Sequence, residues 1–193
     1  MAPMHSPGPI QVSLPPWVPE VIAGREVFAT MEDRMRLAVA LSRENVVRKT
    51  GGPFGAAIFE RDSGRLVAAG VNSVTRLNNC TLHGEMVAFM MAQAALGSFS
   101  LGMPGMPAHD LVTSCEPCAM CLGAILWSGV SRVVCGAARA DATELRFEEG
   151  PVFPESYQYL EARGIEIVHE VLREEARAVL RLYREQGGPI YNG

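Results

Sequence analysis

The sequence predicts one α/β domain in which helices alternate with five strands of a single sheet. Its 193 residues, 48% of them hydrophobic, suffice for one sizeable core and are too few for two ordinary domains. Segments with the apolar spacing of helices alternate with short apolar runs of strand length, which is typical of the α/β class. Stretches containing glycine and proline separate these segments, and no internal repeat is present.

The N-terminal segment, residues 1–29, differs from the rest of the chain in its proline content. Proline lacks a backbone donor and fixes its own φ angle, so we expect an extended arm or a partly disordered leader, without a regular helix, here. The chain is therefore divided into an arm at residues 1–29 and a domain at 30–193. The prolines of the arm are Pro3, Pro7, Pro9, Pro15, Pro16 and Pro19.

The first half of the domain is predicted to contain one helix and two strands. Thr30 can cap a helix that runs to about Lys49, before the glycines and proline of residues 51–53. Apolar runs at 55–60 and 66–71 flank a segment with Asp and Gly, which indicates two strands joined by a hairpin turn.

The second half continues the alternation of helices and strands. A helix at 84–96 is predicted to end at Gly97, and Pro117 is predicted to begin a helix that ends at Gly129. The acidic stretch 141–154 is expected to be irregular. The remaining predictions are strands at 110–114, 132–136 and 165–171, a helix at 155–162, and a final helix with Ala176, Val179, Leu180 and Tyr183 on one face.

A two-part motif is the strongest indication of function in the sequence: His83-Gly84-Glu85, followed by Pro117-Cys118 and Cys121. His83, Cys118 and Cys121 are candidate zinc ligands, whereas Glu85 is a carboxylate outside the ligand set. Three protein ligands leave a coordination position for water, which distinguishes a catalytic zinc from a structural one. The pattern predicts a Zn²⁺-dependent hydrolytic deaminase.

The cysteines leave a second interpretation open. Cys115 lies three residues before Cys118 and is a candidate fourth ligand, which would close the site and make it a non-catalytic zinc module. The odd number of five cysteines suits metal binding and reduced thiols more than a disulfide framework. Cys80 and Cys135 are predicted to be buried thiols.

Charge and hydropathy exclude two classes of partner. The net charge of −4 gives no broad basic surface for nucleic acid, so a nucleic-acid partner is not expected. No stretch approaches the ~20 apolar residues of a membrane helix, and the N-terminus lacks the pattern of a secretory signal. We therefore expect a cytoplasmic protein without a membrane partner.

With these motifs in hand, the chain resembles the cytidine deaminase-like superfamily over roughly residues 30–190, and within it the bacterial guanine deaminases. The resemblance implies a three-layer α/β/α sandwich with a mixed five-stranded sheet that carries the metal on two helix N-termini. It departs from the family at Gly84, where alanine is usual, and at Glu148-Glu149, where the family has aspartate. The similar stretches are residues 51–56 (GGPFGA), 72–75 (NSVT), the two metal motifs and 146–149 (RFEE).

The resemblance implies the deamination of guanine to xanthine and ammonia. In that chemistry hydroxide activated by zinc attacks the amino-bearing carbon, and Glu85 carries protons from the water to the base and the departing amine. Phe54 would stack on the base, Asn72 would bond the purine edge, and Glu149 would contact guanine and share in proton transfer. From the residues alone, the alternatives are a core aromatic for Phe54, a turn residue for Asn72 and part of a solvated acidic run for Glu149.

The same resemblance implies a homodimer in which the C-terminal tail, residues 187–193, crosses to the neighbouring subunit. Tyr191 would then close the neighbour's pocket, with Gly187, Gly188 and Pro189 as a hinge. A frayed terminus is the alternative, since chain ends are mobile unless they are docked.

Two rival substrates share the motif. A tRNA adenosine deaminase would use a basic stripe on the last helix, although interleaved glutamates there favour a salt-bridged surface. An aminotriazine such as ammeline presents an edge that resembles part of guanine, and it is compatible with guanine as a second substrate. The stripe consists of Arg173, Arg177, Arg181 and Arg184.

Overall fold

The computed structural model describes Gly8 and residues 10–192. Three of the predicted arm's prolines, Pro3, Pro7 and Pro9, lie outside the described residues, as does Gly193 of the predicted tail. Within the described part of the chain, no helix combines the length and apolar character needed to cross a membrane.

Five strands form one mixed sheet in the order β2-β1-β3-β4-β5. The central strand β3 pairs antiparallel with β1 and parallel with β4, while β2 and β5 form the two edges. The predicted hairpin is confirmed, since β1 and β2 are antiparallel neighbours. The strands are β1 (Gly55–Glu60), β2 (Leu66–Val71), β3 (His109–Cys115), β4 (Arg132–Ala137) and β5 (Glu166–Val168).

Helices cover both faces of the sheet and complete the predicted three-layer sandwich. Helices α2 and α8 pack on one face, and α4, α5 and α7 pack on the other. The helices are α1 (Val18–Ile22), α2 (Met31–Val47), α3 (Val74–Leu77), α4 (Gly84–Leu96), α5 (Ala119–Ser128), α6 (Arg139–Thr143), α7 (Pro154–Ala162) and α8 (Arg173–Glu185).

Side chains of β1 alternate between two hydrophobic cores. Ala57 and Phe59 join the core beneath α2 and α8, whereas Ala56 and Ile58 join the core beneath α4 and α5. This alternation follows from the two-residue period of a strand that is buried on both faces. On the neighbouring strand, a Cβ on Gly70 would lie 2.3 Å from the backbone of α4, so glycine lets that helix approach the sheet closely.

Capping residues set the helix ends that the sequence predicted. The Thr30 hydroxyl accepts a hydrogen bond from the backbone N–H of Asp33, as expected of an N-cap. Gly97 and Gly129 end α4 and α5 in left-handed conformations, with φ angles of 60° and 82°. These positions favour glycine because a Cβ is strained there.

Three local predictions were wrong. The arm contains the short helix α1, because proline is tolerated in a first helical turn and Pro19 lies there. The stretch predicted to be irregular includes much of α6, whose N-terminus is capped by the Asp141 carboxylate. The last strand ends at Val168 rather than Val171, and Glu170 then takes a left-handed conformation with φ 61°.

A buried ion cluster lies near the start of β3. Asp110 is fully buried, and its Oδ2 accepts hydrogen bonds from Arg34, at 2.7 Å, and from Arg132. Arg34 also donates to the backbone carbonyls of Phe28 and Arg61. The cluster therefore joins the end of the arm, helix α2 and two strands.

Candidate metal centre and active site

Two helix N-termini bring the three candidate metal ligands together at one end of the sheet. His83 is the N-cap of α4, Cys118 is the N-cap of α5, and Cys121 lies in the first turn of α5. One potential ligand atom from each residue lies within 4.8 Å of the others, and the His83 Nδ1 to Cys118 Sγ distance is 3.4 Å. Pro117 was wrongly predicted as the first helical residue, because Cys118 after it is still extended, with ψ 172°.

The donor set fits a zinc ion with one open coordination position. One imidazole nitrogen and two cysteine sulfurs are common zinc donors, and around one ion such atoms lie roughly 3–4 Å apart. Cys115 is outside this group: it lies at the end of β3, with its Sγ 3.8 Å from the carbonyl oxygen of Ala138. Among the described residues the group therefore has three members, the number found in catalytic zinc sites.

The two cysteines differ in acidity. The hydrogen bond from Cys121 and the proximity of His83 lower the pKa of the Cys118 thiol to about 4. The pKa of the Cys121 thiol is raised by that same hydrogen bond and by burial beside Glu85. A divalent cation between the sulfurs would favour ionisation of both, because metal binding displaces thiol protons.

Glu85 points its carboxylate into the same site. The Thr113 hydroxyl donates to Oε1 at 3.1 Å, and the Cys121 thiol donates to Oε2 at 3.4 Å. Burial, and next the negative charge of Cys118, raise the pKa of this carboxyl group. Glu85 is thus held beside the ligands by neutral hydrogen-bond donors rather than by an ion pair with an arginine or lysine of the described chain.

A pocket opens over these groups. Its walls include two candidate ligands, His83 and Cys118, and the carboxylates Glu85 and Glu149. One wall is aromatic, formed by the contacting rings of Phe54, Phe147 and Tyr191. A pocket lined by both polar groups and aromatic rings is typical of a site for a flat heterocycle.

Phe147 is the centre of the aromatic wall. Its ring meets Phe54 and Tyr191 edge to face, with centroid distances of 5.0 and 5.3 Å, and stacks on Tyr183 at 5.9 Å. The predicted residues Phe54 and Tyr191 therefore lie together. Sequence reasoning gave Phe147 no role, although it lies in the RFEE stretch that carried the family resemblance.

Asn72 is buried and does not itself line the pocket, but it is hydrogen-bonded to the backbone of Phe54 and Val74, which do. Its Oδ1 accepts hydrogen bonds from the backbone N–H groups of Gly52, at 3.4 Å, and Val74, at 3.3 Å. These contacts fix the orientation of the amide, and Nδ2 has no partner among the described residues. A buried donor without a partner is costly unless a ligand satisfies it.

The two glutamates of the RFEE stretch have different environments. Both line the pocket, but Glu149 is 9% exposed, whereas Glu148 is largely open to solvent. Burial, and next the charges of Cys118 and Glu85, raise the pKa of Glu149 to about 8. The interpretation of Glu149 as part of a solvated acidic run is therefore wrong.

The C-terminal tail docks over the pocket of its own chain. The Asn192 side chain accepts from the N–H of Glu148 and donates to the carbonyl of Arg146, both at 2.9 Å. Tyr191 lines the pocket and buries its hydroxyl, and the tail leaves α8 through Gly187 at φ 67°. Exchange of the tail between subunits stays a prediction. The sequence offered no signal for the bonds of Asn192, which join residues 44 and 46 positions apart.

Other predicted features have mixed outcomes. Cys135 is buried as predicted, but Cys80 is exposed and lines the pocket.

The arginines of the basic stripe on α8 pair with acidic residues, for example Arg173 and Arg177 with Asp141. That pairing confirms the salt-bridged surface and leaves the stripe little free charge for phosphate.

The chain matches known deaminases in sequence and structure. Residues 29–137 match the cytidine and deoxycytidylate deaminase zinc-binding region. The guanine deaminase of Bacillus subtilis is 38% identical over 145 residues, which cover 74% of this chain and 87% of that protein. A solved guanine deaminase from Nitrosomonas europaea is 42% identical with a TM-score of 0.88, covering 94% and 99% of the two chains. The protein in a solved complex with 2,6-diaminopurine is 43% identical to this chain with a TM-score of 0.89, and the match covers 95% of this chain and 97% of that one.

Proposed function

The chain belongs to the cytidine and deoxycytidylate deaminase zinc-binding family, and we propose that it hydrolyses guanine to xanthine and ammonia. The observation that carries this proposal is the juxtaposition, in one pocket, of the His83-Cys118-Cys121 group with the buried carboxylate of Glu85. The similarity to guanine deaminases over most of the chain supports guanine as the base.

His83, Cys118 and Cys121 would hold the zinc ion of the enzyme. When bound, zinc makes water a stronger acid and so supplies a nucleophile at neutral pH. Water adds to the amino-bearing carbon of guanine, the C–N bond breaks, and the nitrogen leaves as ammonia.

Glu85 is the proposed proton carrier of this reaction. It accepts a proton from the water, delivers it to a ring nitrogen of the base, and later protonates the departing amine. Its burial supports this role, because a carboxyl group with a raised pKa releases and regains a proton near neutral pH more readily than an exposed one.

The remaining predicted residues are proposed to bind the base. Phe54, with Tyr191 on the same wall, would contact the ring faces, and the unpartnered Nδ2 of Asn72 would donate to an acceptor on the purine edge. Glu149 would contact the amine or a ring N–H of guanine and share in proton transfer. Tail docking over the pocket would exclude water from these contacts.

We further propose that the protein is cytoplasmic and forms a homodimer. Helix α5 contains no charged residue, and Trp127 on it is 82% exposed, which is typical of a helix that packs on a partner. Trp127→Arg should shift the mass in sedimentation analysis towards the monomer, whereas Trp127→Phe should not. A monomeric parent protein would contradict this part of the proposal.

A substrate panel tests the function directly. Zinc-loaded protein is offered guanine, guanosine, adenine, cytosine, ammeline and tRNA in parallel, and ammonia release is measured. We expect ammonia release from guanine at a rate well above that from the other compounds, and ammeline is the second substrate that we expect to react. No ammonia release from guanine would overturn the proposal, and activity on tRNA alone would replace it with the rival function.

A further inference from the structure

The N-terminal arm is docked on the protein through Trp17. Trp17 is 3% exposed, and its indole Nε1 donates a hydrogen bond to the Thr50 hydroxyl at 3.0 Å. The guanidinium of Arg48 lies 5.8 Å from the centre of the indole ring, and Arg48 is also paired with Glu20 of α1. The arm therefore reaches the loop that follows α2.

The hydrogen bonds continue from Thr50 to the turn that carries Asn72. The Thr50 hydroxyl donates to Asn45 Oδ1 at 2.7 Å, and Asn45 Nδ2 donates to the carbonyls of Gly52, at 2.8 Å, and Asn72, at 2.9 Å. Asn45 is fully buried, and both polar atoms of its amide are satisfied within this network. Trp17 and Asn72 are thus connected through two intervening side chains.

A second connection reaches the same turn from its other side. Arg76 donates to the backbone carbonyl of Ser13 in the arm and to the Ser73 hydroxyl, the latter at 3.1 Å. Ser73 in turn donates to the carbonyl of Val71 at 3.1 Å. Ser13 of the arm therefore contacts Arg76, which bonds Ser73 on one side of Asn72, and Ser73 bonds Val71 on the other.

Close packing makes the Asn72 amide sensitive to these contacts. A Cβ on Gly51 would lie 2.0 Å from the carbonyl oxygen of Asn72, so the loop and the turn touch through their backbones. The N–H of Gly52 is one of the two donors that orient the Asn72 amide. A shift of this loop would turn the unpartnered Nδ2 away from its present direction.

We propose that the arm is part of the substrate-binding apparatus: through Trp17, Thr50 and Asn45 it positions the Asn72 amide for the base. Trp17 and Asn45 are positioning residues, since they act through Asn72 and do not line the pocket. The inference rests on the proposed function in so far as Asn72 binds guanine.

A double-mutant cycle tests the kinetic part of the proposal. Trp17→Phe keeps the aromatic packing and removes one neutral hydrogen bond, so we expect KM for guanine to rise about three- to tenfold with kcat nearly unchanged. Thr50→Val should reproduce the effect. In an Asn72→Ala background, Trp17→Phe should have no further effect, because coupled residues lose additivity. Equal effects in both backgrounds would overturn the proposal.

A matched control and a second readout separate positioning from stability. Val18→Ala truncates a fully buried arm residue outside the network, and should destabilise the fold without raising KM. Hydrogen exchange should quicken about two- to tenfold at residues 51–53 and 72–76 in Trp17→Phe, while α4 and α5 stay unchanged. Unchanged exchange at these residues would contradict the proposed connection between the arm and Asn72. Inactivity of the parent protein on guanine would instead reject the proposed function, and the exchange measurement would still test the connection.

Discussion

A buried carboxylate lies near each end of strand β3, and the two carboxylates differ in the groups that balance their charge. Near the start of the strand, Asp110 bonds Arg34 and Arg132. Towards its end, Thr113 bonds Glu85, whose other partner is the Cys121 thiol. The first cluster is neutralised by two arginines, whereas the second brings acids, thiols and the His83 imidazole together, with no arginine or lysine of the described chain paired with Glu85.

This difference distinguishes a cluster that stabilises the fold from a cluster that is a candidate for catalysis. A buried charge that is bonded to its partners fixes the relative positions of the elements that carry them. A buried group of acids, thiols and an imidazole has perturbed proton affinities and accommodates a divalent metal, which is typical of functional sites. We therefore expect substitutions near Asp110 to change stability and substitutions near Glu85 to change activity.

The largest effect is expected from His83→Ala. Loss of one of three ligands should lower zinc occupancy and reduce guanine deamination to the background rate. Zinc content by mass spectrometry and ammonia release by a coupled assay give the two readouts. Full zinc occupancy in this variant would remove His83 from the ligand set.

Asp110→Asn tests the opposite end of the strand. Removal of the charge leaves two arginines without their buried partner, and the free energy of unfolding should fall by about 3–5 kcal/mol. Urea unfolding measures the change, with Glu174→Gln on the exposed face of α8 as the control that should change it little. A large loss of kcat in the folded variant, with unchanged stability, would contradict the division between the two ends.

Glu149→Gln should lower kcat/KM for guanine by roughly 10- to 100-fold, because a charged or proton-donating contact to the base is lost. Glu155→Gln on helix α7 is the control, since that side chain is exposed and does not line the pocket, and its kinetics should stay close to those of the parent. Normal guanine affinity and turnover in Glu149→Gln would reject its role.

The smallest effect is expected from Cys115→Ala. Its thiol lies outside the candidate ligand group, so zinc occupancy should stay at the parent level and activity should change less than in the other variants. Loss of zinc in this variant would favour the closed, four-ligand site over the open one.

Local signals in the sequence predicted most of the elements correctly. The bounds of β1, β2 and α4 follow from apolar runs that are interrupted by turn residues or ended by glycine, and all of these are visible within a few neighbours. The candidate ligands His83, Cys118 and Cys121 were likewise predicted from spacing, and the structure brings them together. Spacing alone could not exclude Cys115, because the same interval separates it from Cys118 as separates Cys118 from Cys121.

Long-range contacts account for what the sequence did not predict. Trp17 and Thr50 are 33 positions apart, and nothing near the prolines of the arm indicates that Trp17 is buried. The tail contacts of Asn192 join residues that are still farther apart, by 44 and 46 positions. After β5, Glu170 and Leu172 have left-handed conformations, and neither residue type favours such a conformation, so no local signal marks the end of this strand.

The most direct test of the account compares Glu85→Gln with the parent protein at equal zinc content. Gln has nearly the same shape as Glu but cannot carry a proton, so we expect zinc occupancy and unfolding free energy near those of the parent, with guanine turnover lower by about 10²- to 10⁴-fold. Turnover comparable to the parent would contradict the proposed proton carrier, and with it the assignment of this end of β3 to catalysis.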